Sequence, residues 1–268
     1  MLSLSSTGSV IAHLATARNV TVEAYTLHGA VLKALEEAAR SGAAVSVELE
    51  KSPFDDAKGS LARENARLAA ELSASGAKAT LVDPLHAKKI LIDGTIYLDE
   101  KNWHMDDIVL RGDCRDDASI ATNKADALAQ EARLLSKGRA ADGVIVESET
   151  FGAANATYGA LRALGETGAA PRLLVSERVL HGNRRERAVL SDLVRAGVRV
   201  RACKDSAKLA VAGDRAWLGS ANATIADGKY SMPDWGVRTA NAAIVRTVRS
   251  RLESEWAEAK ELKPELAA

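Results

Sequence analysis

The chain repeats itself. Val20-Thr21-Val22-Glu23-Ala24-Tyr25-Thr26-Leu27 and Val144-Ile145-Val146-Glu147-Ser148-Glu149-Thr150-Phe151 keep a Val-Glu-x-x-Thr core in the same place. Further on, Lys88 to Asn102 and Lys208 to Asn222 both span 14 positions. Two matched stretches at nearly one offset predict a tandem duplication, so the 268 residues divide into two lobes of like fold. Each lobe then has about the 100–150 residues usual for a domain. Lys137-Gly138-Arg139 reads as a junction, which sets the lobes at residues 1–140 and 141–268.

Hydrophobic periodicity gives each lobe the same order of elements. Asn19 to Leu27 alternates and is rich in β-branched residues, so it reads as a strand. Ala30 to Arg40 carries a helical stripe and ends before Gly42, where a C-terminal glycine belongs. Val45 to Leu49 is a second strand, Leu61 to Ser73 a second helix ending before Gly76, and Ala77 to Val82 a third strand. The second half restarts at Val144 and matches these with Ala160 to Leu164, Leu173 to Val175, Arg187 to Arg195 and Val198 to Cys203. Strands alternating with helices predict an α/β fold, each lobe a largely parallel β-sheet flanked by helices. Ala243 to Leu262 closes the chain as an amphipathic helix.

Chemistry concentrates after the third strand. His86 and Lys88 are two apart, so an extended chain sends both side chains to one face. Asp93-Gly94 is hairpin turn chemistry, and Asn102 lies beyond the hairpin. An imidazole, an ammonium and a carboxamide form a candidate phosphoryl site: the imidazole attacks phosphorus while the other two hold oxygens where charge develops. The second half offers Ser206-Ala207-Lys208 and then Gly219-Ser220-Ala221-Asn222.

His86-x-Lys88-x4-Asp93 followed by Asn102, with Gly219-Ser220-Ala221-Asn222 in the second copy, resembles the HKD motif of the phospholipase D superfamily. The resemblance covers nearly the whole chain. It implies two lobes packed around a shared cleft, metal-independent phosphodiester hydrolysis or transfer through a phospho-histidine, and no organic cofactor. The substrate it implies is a phosphodiester, either nucleic acid or a phospholipid head group. It assigns His86 as nucleophile and Lys88, Asn102, Lys208, Ser220 and Asn222 as phosphate donors. An acidic residue should fix the tautomer of His86, and Asp106 or Asp107 is the candidate. Asp93 is assigned to the turn rather than to catalysis.

The chain also departs from that pattern. Ser206 stands where the second histidine belongs, Gly213 replaces the second hairpin aspartate, and Asp99-Glu100 replaces the first Gly-Ser pair. A lost general acid costs about 10²–10⁴ in rate. Glu100 would repel an anionic substrate unless it is neutralised by Lys88 or Lys208, or is protonated and serves as the missing acid. His104 and Asp205 are further candidates for that proton. Three readings follow: a phosphodiesterase with a substituted acid, a pseudoenzyme that binds phosphorylated ligands, nucleic acid or a protein partner, and a homodimer that brings two His86 residues together in place of a two-lobed monomer.

Composition narrows these readings. Thirty-six basic residues balance 36 acidic ones, and only ten aromatics occur. No global field draws the chain to a polyanion, so a polyanionic substrate would have to be held by a local patch. Two cysteines, Cys114 and Cys203, make no disulfide scaffold, and no Cys/His spacing suggests a metal. The N-terminal stretch reads as a capped helix rather than a leader. No run approaches the ~20 apolar residues of a membrane span, so the sequence predicts a soluble, cytoplasmic protein.

Overall fold

The structure, a computed structural model, describes residues 2–53, 56, 58–113, 119–138, 142–180, 184–205, 207–227 and 231–262. The chain forms two compact units. The first comprises Met1–Ile120 with Met232–Trp235, and the second Ala121–Ser231 with Gly236–Ala268.

In the first unit the described elements run β1 (Ser3–Ser5), α1 (Thr7–Leu14), β2 (Asn19–Ala24), α2 (Gly29–Arg40), β3 (Ala44–Glu50), α3 (Ser60–Ala74), β4 (Lys78–Val82), β5 (Lys88–Ile92), β6 (Thr95–Asp99) and β7 (Val109–Asp113). They make one seven-stranded sheet in the order β1-β7-β6-β5-β2-β3-β4. Only β2-β3 and β3-β4 pair in parallel; the other four pairings are antiparallel. The sheet is therefore mixed rather than largely parallel. The helical crossovers account for the parallel half. The tight Asp93-Gly94 turn can only reverse the chain, and it sets the antiparallel β5-β6 pair.

Local chemistry sets the helix ends. The Ser6 side chain accepts from the Ser9 amide and caps α1. Gly42 and Gly76 follow α2 and α3 at φ +94° and +98°, a conformation that costs glycine nothing. Val10, Leu14, Val31, Leu35, Leu68 and Leu72 from the helices meet Val20, Val22, Val45, Val47, Ile90 and Ile92 in one core. Each such fully buried side chain contributes about 1.5–3 kcal/mol before entropy is counted.

The second unit repeats the plan. Its elements are α4 (Lys124–Leu135), β8 (Ile145–Ser148), α5 (Ala156–Glu166), β9 (Arg172–Ser176), α6 (Arg184–Arg195), β10 (Arg199–Cys203), β11 (Leu209–Ala212), β12 (Arg215–Gly219), β13 (Gly236–Thr239), α7 (Ala242–Glu258) and β14 (Lys260–Glu261). The sheet order β13-β12-β11-β8-β9-β10-β14 places each repeated strand where its counterpart lies in the first sheet. Extra strands, β1 and β14, finish opposite edges. A cut at residue 140 leaves α4 with the first half, but α4 packs on α5, β12 and β13 inside the second unit. Trp103 and Trp217 are both buried core residues, one in each unit. Cys114 lies outside the described residues, and Cys203 is a buried free thiol.

Candidate active site

A buried polar frame holds the His86 segment in the first unit. Asn65, on the inner face of α3, donates from Nδ2 to the carbonyls of Tyr25 at 2.8 Å and Glu50 at 2.7 Å. The buried Glu50 carboxylate accepts from the amides of Ser52, at 2.7 Å, and Leu85. Burial pushes its pKa up, against the pull of those amides. The Tyr25 amide donates to Ala87 O at 3.1 Å, and the His86 amide to Pro233 O at 3.1 Å. His86 itself lies in the extended run into β5, one turn of the pleat ahead of its first paired residue.

This frame aims the imidazole. His86 Nδ1 lies 2.7 Å from Asp234 Oδ1, the ring 14% exposed and the carboxylate 1%. A carboxylate can only accept here, so Nδ1 carries the proton. The Tyr25 ring meets His86 edge-on, 5.0 Å between centroids at 71°. Lys88, almost wholly buried, donates from Nζ to His86 O at 2.7 Å and lies 5.2 Å from the centroid of the same Tyr25 ring. The structure thus brings His86 and Lys88 together, with Tyr25 and Asp234 as partners.

The carboxylate beside the His86 ring is that of Asp234, not of Asp106 or Asp107. Asp107 is turned into its own loop, accepting from the His104 amide at 2.6 Å with Lys101 Nζ 3.8 Å away, and Asp106 is exposed. The signal for Asp234 was present: Asp234-Trp235-Gly236-Val237 parallels the Asp106 region in the repeat. The residues Met232–Trp235 return to the first unit, and Trp235 Nε1 fixes them there by donating to Asp99 O at 3.0 Å. Sequence order hides that return.

Asp99 and Glu100 serve the loop after β6. Asp99 Oδ2 accepts from the amides of Lys101 at 3.1 Å and Trp103 at 2.7 Å. Glu100 Oε1 accepts from the Ile108 amide at 3.2 Å. Burial holds the Asp99 carboxyl well above the usual range, with Asp107 and Glu100 pushing the same way. The expectation that Glu100 faces a phosphate is therefore replaced by a capping role. Asn102 rides on this loop, half-buried, its Oδ1 accepting no hydrogen bond among the described residues. Asp93 accepts from the amides of Arg18 and Asn19, which fits its assignment to the turn. His104 stacks on His28 with centroids 6.1 Å apart.

The second set is built differently. Lys208 Nζ donates to Glu149 Oε2 at 3.0 Å, with Arg178 on the other carboxylate oxygen at 3.4 Å. Ser220 is fully buried, and Asn222 O accepts from the Thr224 amide at 2.7 Å. Ser206 lies outside the described residues. Asp205 pairs with Arg251. Glu147, Cys203 and Glu255 bring ligand atoms within 4.8 Å of one another. Burial pushes the Cys203 thiol and the Glu255 carboxyl up, and Arg251 lies 2.5 Å from Glu255, so this cluster suits protons and a guanidinium rather than a metal ion.

A mixed α/β sheet built twice, with a His-x-Lys run leading into the fifth strand, is a fold this chain shares with solved structures of low sequence identity. No family model matches the chain. No curated protein matches it either. Among solved structures, polyphosphate kinase from Porphyromonas gingivalis superposes over 99% of this chain at TM-score 0.66 and 14% identity. This chain spans 49% of that one. Phosphatidylserine synthase from Haemophilus influenzae Rd KW20 superposes over 98% of this chain and 87% of its own, at TM-score 0.62 and 10% identity. Nuc from Salmonella typhimurium, a phospholipase D family member, covers 54% of this chain at TM-score 0.46 and 15% identity. Among the described residues no helix is long and apolar enough to cross a membrane.

Proposed function

We propose that the chain is a phosphodiester hydrolase or transferase in which His86 is the nucleophile. The Nε2 lone pair forms a bond to phosphorus as the ester P–O bond breaks, and the leaving oxygen takes a proton from solvent. Water or an alcohol then attacks phosphorus, the N–P bond breaks, and His86 is regenerated. Lys88 and Asn102 hold the non-bridging oxygens where charge develops. Asp234 keeps the proton on Nδ1 and stabilises the positive ring of the phospho-histidine. The observation that carries the reading is the His86–Asp234 contact at 2.7 Å on a ring still open to solvent.

Ser206 in place of a second imidazole shapes the expected kinetics. Without an imidazolium donor, the reaction should favour leaving groups that need no proton. Aryl diesters should be cleaved about 10²-fold or more faster than alkyl diesters, the size of a lost general acid. The test is hydrolysis of bis-p-nitrophenyl phosphate with chelator present, by wild type and by His86→Ala, together with an acid-labile phosphoryl adduct trapped on His86. DNA, RNA and phospholipid form the substrate panel. A second reading is favoured by the Lys208–Glu149 pair: a binding protein whose second phosphate lysine is already occupied. Turnover on none of the panel, with phosphate still perturbing the imidazole, selects that reading.

A further inference from the structure

We propose that Tyr25 is a positioning residue of the His86 site, one that sets both the ring of the nucleophile and the charge balance around Lys88; this rests on the phosphoryl-site reading above. Tyr25 is fixed on both sides by backbone bonds, its amide to Ala87 O at 3.1 Å and its carbonyl from Asn65 Nδ2 at 2.8 Å. Its ring reaches His86 at 5.0 Å and the Lys88 ammonium at 5.2 Å. One side chain therefore contacts the two groups that the chemistry needs in a fixed relation. An edge-on ring restrains the imidazole plane without competing for either nitrogen. Its face attracts the ammonium without adding a full negative charge.

The repeat supplies an internal control. By the shared Val-Glu-x-x-Thr core, Tyr25 corresponds to Glu149, and Lys88 to Lys208. Where the ring is replaced by a carboxylate, the lysine is drawn into an ion pair at 3.0 Å. A phosphate binding there would compete with a charged side chain already in place. The choice of residue at this position thus separates a lysine held for a ligand from one held for structure. The exposed part of the Tyr25 ring stays next to the imidazole, so the same residue bounds the space in which the ester group sits.

The experiment follows the His86 ring nitrogens by ¹⁵N NMR during titration with inorganic phosphate, in wild type, Tyr25→Phe, Tyr25→Leu and Tyr25→Glu, with amide spectra as the check on folding. Wild type should respond saturably, and Tyr25→Phe should still bind phosphate saturably and more tightly than Tyr25→Leu, since the ring and its contacts to His86 and Lys88 remain. Tyr25→Leu should weaken phosphate binding by about tenfold, the scale of a lost cation–π contact, and lower kcat more than it raises KM. Tyr25→Glu should weaken binding by about a hundredfold, by placing a carboxylate beside Lys88. Phosphate affinity in Tyr25→Glu or Tyr25→Leu within about threefold of wild type would overturn the proposal. So would a wild-type ring that phosphate does not perturb. Phosphate binding with the predicted order of variants but without turnover sinks the hydrolase reading and leaves the role of Tyr25 standing.

Discussion

In the first unit β2 alternates buried and open positions, while in the second its counterpart β8 is buried from end to end. The reason is coverage. The face of β2, β3 and β4 away from the core carries Thr21, Glu23, Ser46 and Glu48, none of them buried. In the second sheet α4, α5 and α6 contribute to the core on one face, and α7 packs on β8, β10, β11 and β12 from the other. A sheet covered on both faces loses its alternation. Glu23 and Glu147 hold the same place in the repeat, yet Glu23 pairs with Lys89 at 2.9 Å in the open, while Glu147 is sealed in with Cys203 and Glu255. The same divergence runs through the phosphate residues. His86 and Lys88 are arranged around an aromatic ring, and Lys208 around a carboxylate. Duplication kept the backbone plan and let the charges drift to opposite uses.

The sharpest way to break this comparison is to remove the carboxylate that only one copy uses. Asp234→Asn should cut kcat/KM by about 10³-fold or more, since an amide can hold the wrong tautomer of the ring. Asp106→Asn, which alters the sequence-based candidate, should change it by less than about threefold. If the two variants fall together, Asp234 is not the partner that matters.

A smaller effect should separate the two lysines. Lys88→Ala is expected to cost about 10²–10³ in kcat/KM, the loss of one charged donor to the transition state. Lys208→Ala should instead lower the melting temperature, because it removes the 3.0 Å ion pair with Glu149. Equal losses of activity in both would mean that the second set shares in the reaction. Glu149→Gln sharpens the same point: it should release Lys208 and strengthen phosphate binding to the second unit, read by titration in a His86→Ala background.

Most of the fold, but only part of the site, was legible in the sequence. The repeat, every crossover helix and the turn at Asp93-Gly94 could be read because each depends on local pattern: period, glycine at a helix end, turn chemistry. The antiparallel share of the sheet was undervalued, since strand direction depends on which neighbours pair, and β1 is too short to carry a period. His86 and Lys88 were found through their spacing. Asp234 and Tyr25 were missed as partners because their contacts to His86 join residues far apart in the chain. The carboxylates at 99 and 100 were misplaced because nothing in their spacing tells whether a side chain faces a ligand or its own loop's amides.

Burial in the second unit also predicts a pH effect on stability. Glu131, on α4 and fully buried, accepts from Thr157 Oγ1 at 2.6 Å, and burial pushes its pKa up from 4.5 to about 8. Below pH 4.5 folded and unfolded chains both hold the proton and the group is neutral in its effect. As pH rises from there to about 8 the unfolded chain releases the proton first, so stability falls, by on the order of a few kcal/mol in all. Glu131→Gln keeps an acceptor for Thr157 and has no proton to lose. Its melting temperature should therefore exceed that of wild type by a margin that grows between pH 5 and pH 9. A constant margin would show that Glu131 ionises normally.

The smallest expected change tests the loop where the copies differ by Asp99 against Gly219. One oxygen of Asp99 gathers the Lys101 and Trp103 amides, while Trp235 is tied to its backbone carbonyl. Asn supplies the same acceptor and has no proton to lose, so Asp99→Asn should match wild-type stability at acid pH, below the ordinary carboxylate range. Its margin over wild type should grow as pH rises above the ordinary carboxylate range, because there the unfolded chain releases the proton that the raised carboxyl of the folded wild type still holds. Asp99→Gly, which installs the second copy's residue, strands two buried amides and should cost about 1–3 kcal/mol by urea denaturation. Because Trp235 positions the neighbour of Asp234, that variant should also lower kcat more than an equally destabilised core variant such as Leu72→Val. Equal kcat in the two would confine Asp99 to the stability of its own loop and break the link drawn between the loop and the imidazole.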